Sequence, residues 1–456
     1  MGGVLKLTQK ACQWRFTVDR MLEIFSKNTF NITDFGATVC DELQTVAIQS
    51  TLDACFLAGG GTVTVPAGIF LTGGLRLRSN TRLHLEGGAI LRGSANPLDY
   101  FSYKDDKIEP IEEYEGETRR SVYPYSRWNN AIIRVINAKN IAITGEKGAY
   151  IDGVDCYDPE GEEDYRGPHA INVQNSENIY LDGYTVTDSA NWAHAIFNSR
   201  DITARNLTVY GGHDGFDVRT CDNVTIEDCE FYTGDDCIAG FDNHEVIIRR
   251  CILNCSCSAL RFGGNNVLVE DCHAFGPGRF GHRYTLTPEE QRRSLPTHAL
   301  CRHNMYNGFL YYCDHRAKIR RAPGDIIIRR CRFDNPDSLF SLAFSEEHVW
   351  CRNRSLSSIK FEDCTVSGVV RSIYAVGDEK EPLSFTLENV TLSPREGYEG
   401  INVIESKHCS DINLRGVTLW GFAAPKVVIC SNTVVTVEGG TPVSVEAAED
   451  IDEYDC

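Results

Sequence analysis

No run of about 18 consecutive apolar residues occurs in the 456-residue sequence, so no helical membrane span is indicated. The opening residues, MGGVLKLTQKACQWRF, lack the apolar core of a secretory leader. The expected location is cytoplasmic, or secreted if a leader has been removed. Cationic residues are in deficit, with 45 Lys+Arg against 64 Asp+Glu and a net charge of −19. That balance argues against general binding to nucleic acid or to an anionic membrane. An acidic substrate would have to be held by a local cationic patch. Part of the acidic excess lies in VEAAEDIDEYDC, which reads as a solvated end. The 19 cysteines are an odd number, which in a secreted chain suggests disulfides plus a spare thiol. A repeat points to another use for many of them.

One pattern recurs: RDITARNLTVY, DNVTIEDCEFY, HEVIIRRCILN, NNVLVEDCHAF, GDIIIRRCRFD and SSIKFEDCTVS. Its first apolar residues are Ile202, Val224, Val246, Val267, Ile326 and Ile359, the first four spaced 22, 22 and 21 apart. Weaker copies start at Ile141, Ile179 and Ile412. Each unit has apolar residues two apart, a two-residue polar break, then two more apolar residues two apart. This is strand, bend, strand. So short a unit buries its apolar face only by stacking on its neighbours, which is the logic of a solenoid. Five residues after the anchor come Leu207, Cys229, Cys251, Cys272, Cys331 and Cys364. With coils about 4.8 Å apart, these form an internal ladder of reduced packing thiols. Before them charges alternate: Glu227-Asp228, Arg249-Arg250, Glu270-Asp271, Arg329-Arg330, Glu362-Asp363. Opposite charges would then face each other across adjacent coils. The alternation also makes the coils of Val267 and Ile326 neighbours, with residues 275–312 a long excursion between them.

The expected fold class is all-β: a single-stranded right-handed parallel β-helix with an N-terminal capping helix. The helix is read in DELQTVAIQSTLDACF, with apolar spacing at Leu43, Val46, Ala47, Ser50, Leu52 and Ala54 and with Asp41 as N-cap. It would cover the open end of the strand stack. Residues 1–30 read as an N-terminal extension, 31–440 as one β-helix domain and 441–456 as an acidic tail.

The repeat also aligns three acids. Asp214, Asp236 and Ser258 each lie 12 residues after an anchor, and Asp235 adjoins Asp236. Counted back from the next anchor, Arg316 falls in the same column, with Lys318 two residues on. Stacked carboxylates raise each other's pKa, so that one holds a proton near neutrality. A protonated and an ionised carboxyl across a glycosidic oxygen are what acid/base hydrolysis of an acetal requires. The bland reading is turn chemistry, since Asp is common in turns such as TGDD. Three acids in register, followed by Arg-x-Lys, favour function.

The segment HDGFDVRTCDNVTIEDCEFYTGDDCIA resembles the active-site region of polygalacturonase-type enzymes, glycoside hydrolase family 28. The stretch from ITDFGATVCDELQ to ANPLDY is similar to that family's N-terminal region, and NIAITGEKGAYIDG and SANWAHAIFNSRDI also fit. Of the family's four motifs, Asn-x-Asp is present as Gly212-His213-Asp214, without the Asn. Asp-Asp is intact as Asp235-Asp236. Gly-His-Gly reads Cys257-Ser258-Ala259, and Arg-x-Lys fits Arg316-Ala317-Lys318. The resemblance implies an inverting hydrolase of a pectin-type or other acidic oligosaccharide, with no metal and no cofactor. Asp235 would be the general acid, and Asp214 with Asp236 would position and deprotonate water. Arg316 and Lys318 would bind substrate. The departures bear on galacturonan specificity more than on the hydrolytic step.

Around this core, His213 reads as a turn or binding histidine and Arg261 as an added anion-binding group. Trp192 reads as a sugar-stacking platform or a half-buried aromatic, with His194 beside it. The excursion, rich in Arg, His and Tyr, contains TPEEQRR, a short helix with Thr287 as N-cap and Pro288 at N1. As a wall over the groove it would favour exo-action. Two other functions suit the same scaffold: a polysaccharide lyase or epimerase, and a non-catalytic glycan-binding protein. The residues specify neither the sugar nor an oligomeric state.

Overall fold

The computed structural model describes residues 21–100, 127–283, 285, 287, 289–290, 301–313, 319–344, 354–431 and 433–451. Short strands alternate with single residues in the left-handed region. Asn140, Asn178, Asp201 and Asn223 precede the repeat anchors with φ of 56, 57, 58 and 57°. Asn206, Asp228, Arg250, Asp271, Arg330 and Asp363 follow the anchors by four, with φ of 51, 55, 53, 56, 50 and 53°. This conformation costs an L-residue about 1–2 kcal/mol, and Asn and Asp adopt it most readily. The polar break in each repeat is therefore a bend. Where the bend residues are Asn, they also bond along the stack. Asn140 Nδ2 donates to Asn80 Oδ1 at 2.8 Å, and Asn178 Nδ2 to Asn140 Oδ1 at 2.9 Å.

Two compact units are distinguished, Met1–Glu230 with Arg283–Cys301, and Phe231–His282 with Arg302–Cys456. The fold class is the expected all-β, right-handed parallel β-helix. In the first unit, one parallel ladder runs through Thr29–Asn31, Gly61–Val65, Thr81–Leu85, Lys139–Gly145, Glu177–Asp182, Arg200–Arg205 and Asp222–Glu227. Ile141, Ile179, Ile202 and Val224 stand in register within it and are fully buried. A second ladder runs from Leu75–Leu77 to Phe216–Arg219. A third runs from Gly68–Thr72 to Thr208–Gly211.

The second unit continues the pattern with Val246, Val267, Ile326 and Ile359 in one column. Val267 thus stacks on Ile326, as the charge alternation requires. Arg329 and Arg330 bond to Glu270 at 2.7 and 2.8 Å, and Arg330 bonds to Asp271 at 2.8 Å. The excursion is shorter than 275–312. Met305–Tyr311 is a strand paired with Ser258–Phe262, because Met305, Phe309 and Tyr311 are fully buried. Ser444–Ala447, assigned from sequence to the acidic tail, also forms a strand, on Lys426–Ile429.

Cys251, Cys272, Cys331 and Cys364 are free and buried, one per lap. Each thiol lies 3.3 Å from the carbonyl two residues before it. Neighbouring thiols and burial push the pKa values of Cys272, Cys331 and Cys364 up, so they act as packing groups.

The capping helix is Thr45–Leu57. Gln44, not Asp41, occupies its N-cap position, and no side chain bonds there. Its buried face is Ile48, Thr51, Leu52 and Cys55, while Leu43 and Val46 are exposed. The i, i+3, i+4, i+7 spacing of the first set makes one stripe, which decides which face packs. Thr45 Oγ1 accepts the Gly73 N–H and Gln49 Oε1 the Arg76 N–H, both at 2.8 Å. The helix thus satisfies backbone donors at the first laps, as an edge cover should. Among the described residues no helix is long and apolar enough to cross a membrane.

Asn178→Ala should destabilise the first unit by about 1–2 kcal/mol in urea unfolding, through left-handed strain and a lost ladder bond. Asn178→Gly, free of the strain, should cost less.

Candidate active site

In the second unit Asp235 and Asp236 lie in the turn that ends at the strand Ile238–Arg249. Thr233 Oγ1 donates to the Asp235 carbonyl at 2.9 Å and holds the turn. Both carboxyls are buried, and their oxygens lie within 4.8 Å of each other. Asp236 Oδ1 accepts the Ser258 N–H at 3.0 Å. Asp236 Oδ2 forms an ion pair with Arg261 Nε at 2.5 Å. The guanidinium lies over the Tyr312 ring, 4.5 Å from its centroid.

Burial pushes the Asp236 carboxyl up; Arg261 opposes that shift and Asp235 adds to it. At an effective dielectric of about 20, like charges about 4 Å apart repel by about 4 kcal/mol. The pair therefore retains one proton more readily than two exposed carboxyls would.

Strand periodicity sorts the neighbours. Leu260 and Phe262 are interior residues, and Ser258 shares their phase while Arg261 has the opposite one. Ser258 thus meets Asp236 through its backbone N–H. Its Oγ is buried, so its expected role as a substrate-binding side chain is not supported by this position. Arg261, expected to bind an anion of the substrate, has its Nε committed to Asp236.

In the first unit Asp214 is buried, and its carbonyl accepts the Ala193 N–H at 2.9 Å. His213 is buried beside it. Its Nε2 lies 2.6 Å from Thr285 Oγ1, and its ring stacks on Tyr165. Tyr165 Oη in turn donates to the Arg283 carbonyl, and Arg283 Nη1 donates to Glu163 at 3.1 Å. The excursion residues Arg283 and Thr285 therefore rest on residues 163–165 and 213. Thr287 and Glu290 form the capping box that the expected helix start needs. Glu290 N donates to Thr287 Oγ1 at 3.3 Å, and Thr287 N to Glu290 Oε2 at 2.9 Å.

Two expectations in this unit are corrected. Trp192 is only 6% exposed, edge-to-face against Trp128 and covered by the Arg219 guanidinium at 4.4 Å. It is a packed aromatic, not an open platform. His194 is fully buried in register with Ile171 and Phe216, which places its side chain in the interior. It bonds to Tyr184 Oη and to the Gly215 carbonyl, each at 3.0 Å. Burial holds its pKa down at about 4, so it is a neutral core histidine, not a substrate ligand. Arg316 and Lys318 lie outside the described residues.

Residues not foreseen also line the second-unit site. A His282 ring nitrogen lies 3.8 Å from Asp235 Oδ1. Cys257 Sγ has Arg302 at 3.7 Å, and Arg302 stacks on Tyr306. The only signal for His282 was the Arg/His/Tyr-rich composition of the excursion. Cys257 was visible as the residue before Ser258.

The fold defines the class: a right-handed parallel β-helix protein. Residues 61–259 match the family model for glycosyl hydrolases family 28. The matched stretch contains all three aspartates. A probable polygalacturonase of Vitis vinifera is 29% identical over 233 residues, 47% of this chain and 45% of its own length. An exo-poly-alpha-D-galacturonosidase of Dickeya chrysanthemi is 48% identical over 71 residues, 15% of this chain and 12% of its own. The chain thus spans less than half the length of these curated relatives. Among solved structures, the family 28 exopolygalacturonase of Yersinia enterocolitica aligns with a TM-score of 0.62 at 18% identity, covering 94% of this chain and 79% of its own. That likeness is one of fold.

Two outcomes follow. His194 binds a proton in the unfolded chain below about pH 6.5 but in the folded chain only near pH 4. The stability it contributes is therefore complete above about pH 6.5 and is lost as pH falls toward 4, by up to about 3 kcal/mol. Urea unfolding between these pH values should show the decline, with His194→Gln flattening part of it. Arg261→Ala leaves a buried carboxylate without its cation and should destabilise by about 3 kcal/mol. Asp236→Asn in the same background should recover most of that loss in the same assay.

Proposed function

We propose that this chain is a glycosidase of pectin-type glycans, hydrolysing galacturonan-related oligosaccharides by single displacement and acting from a chain end. The observation that carries this reading is the buried Asp235–Asp236 pair with a cation on one member only. The Ser258 N–H and Arg261 favour the ionised form of Asp236. Asp235 then carries the retained proton and delivers it to the glycosidic oxygen as the bond breaks. Asp236 orients a water molecule and takes its proton as that water attacks the anomeric carbon. The anomeric configuration inverts.

The sequence relatives are named polygalacturonases, which supports the substrate class; one, matched over 71 residues, is an exo-poly-alpha-D-galacturonosidase, while others are endopolygalacturonases. At the base of the excursion Gly278 N donates to the His303 carbonyl at 2.7 Å and His282 N to the Arg302 carbonyl at 3.1 Å.

A second reading, a glycan-binding β-helix without turnover, is favoured by one feature: Ser258 stands where the family motif has histidine. The two separate in one experiment. Pectic oligosaccharides are incubated with the native protein and with Asp235→Asn, and released sugars are resolved by size and anomer. The hydrolase reading requires single sugars of inverted configuration from the native protein. Asp235→Asn should lose about 100-fold or more in rate while binding is largely kept. Equal rates in the two would remove Asp235 from the mechanism. Binding without turnover in the native protein would select the second reading.

A further inference from the structure

Cys257 and His282 play no part in the proposed hydrolysis, yet each places a donor atom beside Asp235. One carboxylate oxygen, the thiol sulfur and one imidazole nitrogen all lie within 4.8 Å of one another. A tetrahedral cation with bonds of about 2.0–2.3 Å needs its ligand atoms about 3.5 Å apart. Small side-chain rotations would close that gap. Asp235 is buried, while Cys257 and His282 are half-buried, so the cluster has a solvent side from which an ion could enter.

We infer that Asp235, Cys257 and His282 form a site for a thiophilic divalent cation such as Zn²⁺, and that its occupation disables Asp235. Thiolate and imidazole donors select zinc, cobalt or copper over magnesium and calcium. The donors come from three separate points of the second unit: the Asp235 turn, the residue just before the strand Ser258–Glu270, and the base of the excursion. Cys257 is set apart from the ladder thiols, which are buried inside the stack.

Local charge permits entry. With the Cys257 thiol and the Asp235 carboxyl deprotonated by the incoming cation, they and Asp236 place three negative charges against two positive ones from Arg261 and Arg302. Burial and the carboxylates of Asp236 and Asp235 push the Cys257 thiol up, and Arg302, 3.7 Å from the sulfur, opposes that shift. On binding, the protons of the Cys257 thiol and the Asp235 carboxyl leave to solvent, and the three donors each supply an electron pair to the cation. The carboxylate then has no proton for a glycosidic oxygen. This inhibitory consequence rests on the glycosidase reading; the binding itself does not.

The test uses the whole protein, stripped of metal and kept reduced with a phosphine. Co²⁺ is titrated while the near-ultraviolet thiolate-to-cobalt charge-transfer band is followed, then displaced with Zn²⁺. The expected result is a saturable band in the native protein and in the ladder control Cys272→Ser. In Cys257→Ser the band is lost, and in His282→Gln Co²⁺ affinity falls about tenfold or more. An undiminished band in Cys257→Ser, or unchanged affinity in His282→Gln, would overturn the site. The second variant keeps the test decisive should Cys257→Ser fail to fold. Hydrolysis with and without Zn²⁺ is then compared within each variant. Zn²⁺ should inhibit the native protein and spare Cys257→Ser. Binding without inhibition of an active native protein would overturn the disabling of Asp235 and leave the cation site standing.

Discussion

Parallel hydrogen bonding between successive laps of the chain is the constraint on which the other features depend. A lap of this length cannot pair its own backbone donors and acceptors or bury its own apolar face, so both are satisfied by the laps on either side. The pairing must stay in register, because a slip of one residue would turn each apolar column outward. This is why bends recur at the same two places, four residues after an anchor and one before it. It is also why the excursion between Phe275 and Met305 leaves the stack undisturbed: Val267 pairs directly with Ile326 on its far side.

The same constraint sets the chemistry of the candidate site. The stack holds both carboxyls out of water, and its backbone supplies a donor to Asp236. Burying an ion costs several kcal/mol unless it is paired, and Asp236 has both an N–H and a guanidinium. The strand that provides the Ser258 N–H also provides Arg261, three residues on and in the opposite phase. Arg261 is held flat by Tyr312, whose N–H bonds to the Phe262 carbonyl at 3.3 Å in the paired lap. Ion pair, aromatic support and strand pairing thus form one connected unit.

The features read correctly from sequence are those that repeat. The cysteine ladder, the charge alternation and the adjacency of Val267 and Ile326 could each be read from several copies of one pattern. Features that occur once were read less well. Asp41 resembled an N-cap, but Gln44 occupies that position, and the helix is oriented by the apolar stripe of Ile48, Leu52 and Cys55. Met305–Tyr311 looked like loop because its alternation is hidden among polar residues. Trp192 and His194 were placed near the site by counting residues, whereas the direction of each side chain depends on what packs against it.

The sequence by itself determined the lap length, the columns of the core, the bend positions and the pairing of Asp235 with Asp236, because these follow from local periodicity and steric preference. Tertiary structure alone decided which side chains face inward, that Arg261 serves Asp236, that Ser258 contributes its backbone, and that Cys257 and His282 approach Asp235. Those outcomes depend on distances between groups far apart in the chain. Such distances are set only when the laps close on one another.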